Sequence, residues 1–144
     1  MKLFEKMNKY LADQEVMYIK LHNLHWFIYG EGFFTLHAKF EELYNYTADI
    51  IDDVAERILA MGCTPVASLK KALLLTTVEE LEDEGITKND AMHQLVTDME
   101  YWVKNTKEII SLAEEEGDVV TADLFTGYLS EYEKTLWMLR AYIK

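Results

Sequence analysis

The sequence is poor in the residues that break helices, cross-link chains or span bilayers. One proline and six glycines in 144 residues leave long stretches free to run as continuous helix. No low-complexity tract or solenoid-period repeat is present, which excludes linkers and repeat arrays. The single cysteine, Cys63, cannot form an intrachain disulfide and reads as a small buried or loop residue rather than a reactive thiol. No run approaches the roughly 20 apolar residues of a membrane span. The opening residues, MKLFEKMNKYLADQEV, are amphipathic and carry acids, unlike a signal peptide. A cytoplasmic protein without membrane contact is expected. Basic residues are scarce too: 14 Lys and Arg stand against 26 Asp and Glu, a formal charge of −12. Such a chain repels nucleic-acid phosphate and attracts cations, although an acidic surface also serves solubility alone.

What is plentiful is apolar residues in helical register. Half of the residues are hydrophobic, enough for a sizeable core at this length, so one domain over residues 1–144 is expected. Phe4, Met7, Leu11, Gln14, Tyr18, Leu21 and His25 recur at steps of three and four, the mark of a helix face turned to a core. Gly30 and Gly32 interrupt that helix in a short polar turn. Leu36, Phe40, Leu43, Thr47, Ile50, Val54 and Ile58 then resume the rhythm, which predicts an antiparallel hairpin.

The second helix is predicted to stop at Met61-Gly62. Thr64-Pro65, an N-cap followed by proline at the first helical position, predicts a short connecting helix around residues 65–75. Thr87-Lys-Asn-Asp90 resembles a capping box. It opens a third helix with Leu95, Met99, Trp102, Thr106, Ile109 and Ala113 on its face, and Gly117 ends it. Asp118 can cap the last helix, whose apolar positions are Val120, Leu124, Tyr128, Leu136, Leu139 and Ile143. Main helices of about 27 residues would be roughly 40 Å long, and the 62–87 connection is long enough to return along them. The expected fold is all-α, a ferritin-like four-helix bundle with a short helix in the long crossover between helices two and three.

Candidate chemistry lies on the second helix. His37, Glu41, Asp52 and Glu56 share one stripe beside the apolar seam. Along the axis, however, a helix holds His37 and Asp52 roughly 22 Å apart, so one chain cannot gather them. Two copies of this helix packed antiparallel about a two-fold axis near Tyr46 and Thr47 would bring His37 of one toward Asp52 and Glu56 of the other. The modest side chains of Asn45, Ala48 and Ala55 would permit a close crossing. His25, at the end of helix one beside the hairpin turn, can join His37. Imidazole with carboxylate and open positions suits Fe(II) and its reaction with an oxidant, whereas calcium prefers oxygen alone and structural zinc a closed cysteine or histidine set. Taken singly, each of these residues is more often a surface or hydrogen-bonded group than a ligand. Their joint placement is what points to iron.

HWFIYGEGFFTLHAKFEELY followed by DDVAER resembles the signature of the Dps family, mini-ferritins that form twelve-subunit hollow shells. The resemblance is carried by His25-Trp26, the Gly30 turn, Leu36-His37, Phe40, Asp52 and Glu56-Arg57, with the closing KTLWMLRAYIK similar to the family's last helix. It implies a ferroxidase centre between two-fold related subunits, with Asp52 and Glu56 from one and His25 and His37 from the other. It further implies iron storage and detoxification, with Fe(II) oxidised by peroxide in preference and ferric mineral kept inside the shell. Glu41 falls at an acidic metal-site position that is Asp in many members. Trp26 would adjoin the centre, where its ring could intercept oxidising equivalents, and core packing accounts for it equally. Asp118 and Asp123 resemble acids lining the family's three-fold pores, and a plain N-cap accounts equally for Asp118.

The Glu-x-x-His motif of intrasubunit diiron sites does not occur. Asp90-Ala-Met-His93 comes nearest, at a helix start where a capping or surface role is expected, and His22 is expected to be structural. Members that clamp DNA often carry a lysine-rich tail, which is not seen here, so DNA binding is not expected. The rival reading is a metal-inactive helical shell acting as a structural or nucleoid-associated interaction protein. The presence of all four ligand types argues against it.

Overall fold

The computed structural model describes residues 1–144 as five helices: α1 (Leu3–Phe27), α2 (Phe33–Ala60), α3 (Leu69–Leu75), α4 (Lys88–Glu115) and α5 (Val119–Tyr142). None is long and apolar enough to cross a membrane. The chain divides into two compact units, Phe4–Ala91 and Met92–Lys144 with Met1–Leu3.

In the first unit, all seven seam residues of α2, from Leu36 to Ile58, are buried. On α1, Met7, Leu11, Gln14, Leu21 and His25 are buried, and Phe4 and Tyr18 half-buried. Gly30 and Gly32 turn the chain between them at φ of 81° and 82°, a region that costs a residue with a Cβ about 1–2 kcal/mol. The turn is more than polar. Ile28 is buried and bridges Ile86: the Tyr29 N–H donates to the Ile86 carbonyl and the Ile86 N–H to the Phe27 carbonyl, both at 3.1 Å. This ties the end of the crossover to the turn.

α2 ends as expected. Gly62, at φ 82°, lets its N–H reach the Leu59 carbonyl at 2.9 Å and the Cys63 N–H reach that of Ile58 at 3.1 Å, which satisfies carbonyls a helix end leaves open.

The connecting helix begins later than Thr64-Pro65 predicts. Asn8 of α1 takes the loop backbone instead: its Nδ2 donates to the Thr64 carbonyl at 2.9 Å and its Oδ1 accepts from the Val66 N–H at 2.8 Å. Held there, the segment stays non-helical until Ser68, whose side chain caps α3 by accepting from the Lys71 N–H. Beyond α3, the buried Asp13 accepts from the Thr76 hydroxyl at 2.7 Å, the Thr77 N–H at 2.9 Å and the Lys9 ammonium at 2.8 Å.

In the second unit, Leu95, Met99, Trp102, Thr106, Ile109 and Ala113 of α4 are all buried. Its end repeats the glycine device. The Gly117 N–H bonds the Glu114 carbonyl at 3.1 Å and the Asp118 N–H that of Ala113 at 2.8 Å. Asp118 then caps α5 at once, accepting from the Thr121 N–H at 3.0 Å and from the Thr121 hydroxyl. The inward face of α5 differs from the expected one. Val120 and Ile143 are exposed, and the face is Thr121, Phe125, Tyr128, Tyr132, Leu136 and Leu139. Thr121, held by the cap, starts the face one residue later than expected, and Tyr132 fills it by stacking on Trp102 at 5.9 Å.

Candidate metal centre

The glycine turn brings the last turn of α1 against the start of α2, and there two imidazoles hold each other. His25 Nδ1 lies 2.6 Å from the His37 carbonyl, and His37 Nδ1 lies 2.7 Å from the His25 carbonyl. A carbonyl only accepts, so both Nδ1 atoms carry the hydrogen, and in each neutral ring Nε2 keeps the lone pair a metal needs. The rings stack at 3.7 Å and 13°. Phe33 covers His37 at 5.0 Å, and Tyr44 stands edge-on to His25 at 5.3 Å. Turning either imidazole would break a hydrogen bond and a stack together. Glu41, one turn beyond His37, places Oε1 3.9 Å from His25 Nε2 and 3.4 Å from the Tyr44 hydroxyl. Desolvation, followed by the Glu41 charge, holds the Tyr44 phenol above its usual range.

Asp52 and Glu56 form a separate cluster near the other end of α2. Asp53 joins them, with ligand atoms of all three within 4.8 Å of one another and all three residues exposed. Asp53 was not singled out by the stripe, because it lies about 100° around the helix from Asp52. α2 is continuous from Phe33 to Ala60, so the clusters stay roughly 22 Å apart. One chain therefore carries two separate clusters of ligand-type side chains, an imidazole pair with Glu41 and a group of carboxylates. Between them Asn45 is exposed and Ala48 half-buried, while Thr47 is buried and is not offered to a neighbouring helix. Large apolar side chains are also exposed: Trp26, Phe34 and Leu59, and Leu69, Leu73, Leu74 and Leu75 of α3.

Asp118 is the cap described above and Asp123 an exposed residue of α5. His22 is structural: its Nδ1 bonds the Tyr18 carbonyl at 2.8 Å, and its ring stacks on Tyr44 at 3.8 Å and 20°. His93 is exposed and Cys63 half-buried. Trp102 is core, whereas Trp137 is exposed.

The ferritin-like domain family matches this chain over residues 4–144. DNA protection during starvation protein 2 of Bacillus anthracis is 42% identical over 141 residues, which cover 98% of this chain and 96% of that protein. General stress protein 20U of Bacillus subtilis is also 42% identical over 141 residues, covering 98% and 97%. Among solved structures, Dps from Listeria monocytogenes superposes with a TM-score of 0.96 at 34% identity, covering 99% of this chain and 94% of that one.

Proposed function

Because this chain belongs to the Dps family and has its all-α, ferritin-like fold, we propose that it is an iron-storage and detoxification protein. It oxidises Fe(II), by preference with hydrogen peroxide, at sites shared between two-fold related copies, and it stores ferric mineral inside a twelve-subunit shell. Each copy works as one domain spanning residues 1–144.

The observation that supports this reading is the separation, by an unbroken α2, of the imidazole cluster at the hairpin turn from the carboxylate cluster near the other end; the two would be complementary half-sites. Antiparallel pairing of two such helices would bring His25, His37 and Glu41 of one copy opposite Asp52 and Glu56 of the other. The exposed apolar residues of α2 and α3 favour such burial.

Iron is the substrate and cargo. The locked imidazoles present Nε2 lone pairs without reorganisation, and the facing carboxylates offset the positive charge that grows as Fe(II) becomes Fe(III). Two Fe(II) ions give one electron each to one peroxide. Its O–O bond breaks, and with two protons it leaves as two waters. Asp118 and Asp123 line the route by which iron enters, lowering a cation's energy through converging negative charge.

Names of relatives speak of DNA protection. Here that protection is chemical, by consuming Fe(II) and peroxide together, and it needs no contact with DNA. Stopped-flow absorbance after adding Fe(II) and then peroxide provides the test. The unaltered protein should oxidise iron well above the protein-free rate, and His25→Ala or Asp52→Ala should lower that acceleration by at least about tenfold. Oxidation no faster than in protein-free buffer would refute the proposal.

A further inference from the structure

We infer that Tyr44 is a positioning residue of the metal centre, whose hydroxyl holds the Glu41 carboxylate in the rotamer that reaches toward His25 and so makes Glu41 a direct ligand. This rests on the metal-centre reading above. The Glu41 side chain is 57% exposed, and a long acid that free would otherwise spread over several solvated rotamers. Its anchor is the Tyr44 hydroxyl, which donates at 3.4 Å to Oε1, the same oxygen that lies 3.9 Å from His25 Nε2.

Tyr44 itself has little freedom. Its ring lies face to face with His22 at 3.8 Å, meets Tyr18 edge-on at 6.1 Å and stands edge-on to His25 at 5.3 Å. His22 is fixed in turn by its Nδ1–H bond to the Tyr18 carbonyl. A continuous set of contacts thus runs from the backbone of α1 through His22 and Tyr44 to an otherwise solvated carboxylate. Partners of this kind orient ligating groups and set metal affinity.

Co(II) binding to the assembled protein, followed by visible absorption, provides the test, since Co(II) reports its ligand geometry without being oxidised by air at the site. Tyr44→Phe keeps the ring and its stack on His22 and removes only the hydroxyl. Co(II) affinity should fall by about 10–100-fold with a changed absorption band. In a Glu41→Ala background the same substitution should change nothing further. Unchanged Co(II) binding by Tyr44→Phe, or an equal loss with and without Glu41, would overturn the inference and leave the metal centre standing. If the unaltered protein binds no Co(II) that His37→Ala removes, the metal centre itself is wrong and this inference falls with it. Crystals of the unaltered protein soaked in Co(II) read the same point without a variant: Glu41 should bond the metal while touching Tyr44, and Glu41 turned into solvent would overturn the role.

Discussion

Burial on α1 pushes the Glu15 carboxyl from 4.5 up to about 7. The folded protein therefore keeps a proton that the unfolded chain sheds at lower pH. This contribution is fully present below 4.5 and is lost as pH rises toward 7. Solvent screening of a half-buried group reduces the effect to about 1–2 kcal/mol. Glu15→Gln, which cannot ionise, should gain thermal stability over the unaltered protein as pH climbs through that window, and the gap should level off above it. A gap independent of pH would refute this. His25 and His37 are each oriented by the other's backbone. Their residue types and their nearness across the hairpin were legible in the sequence. The reciprocal Nδ1 bonds were not, because they depend on how two positive-φ glycines aim the chain between them. Tyr44 is not legible for a related reason: a tyrosine three residues after a glutamate says nothing until α1 supplies His22 beneath its ring.

At the level of the helix, one substitution pair separates the cap that Asp118 makes from the iron route proposed for it. It closes α4 through its own N–H and caps α5 through its carboxylate. Asp118→Asn keeps an acceptor for the Thr121 N–H and removes the charge, whereas Asp118→Ala removes both. Alanine should cost about 1 kcal/mol of stability and asparagine a few tenths at most. If the charge also lines an iron route, both variants should slow iron loading alike. Loading that slows only in the destabilised alanine variant would assign Asp118 to the cap alone. Element existence was legible throughout, and on α2 so was the whole buried face, because an unbroken seam fixes rotation about the axis. The face of α5 starts one residue later than its pattern suggests: Val120 is exposed and the capped Thr121 is buried. The start of α3 is not legible because Asn8, far away in sequence, holds Thr64 and Val66 out of a helix that local signals favour.

For the assembled molecule, charge and symmetry make separate demands. A net charge of −12 per chain opposes phosphate, so at physiological salt the shell should scarcely retard duplex DNA in a gel. Tight retardation that weakens as salt rises would show a basic outer patch that the average conceals. Symmetry bears on the metal centre through one rod of known pitch. Because α2 runs unbroken past both proposed half-sites, His37 and Asp52 stay roughly 22 Å apart within a chain, and any site using both belongs to two chains. His37→Ala and Asp52→Ala should each abolish ferroxidase activity as homo-oligomers. Removing His37 also frees His25 from its clasp, but both lie in the same half-site, so the count of intact sites is unaffected. A dimer pairing the two variants has one site with both defects and one with neither. Random co-assembly in equal amounts should therefore restore about a quarter of the original sites, once native mass spectrometry has verified mixed shells. A site built within one chain would recover nothing on mixing, and verified mixed shells that stay inactive would end the shared-site account.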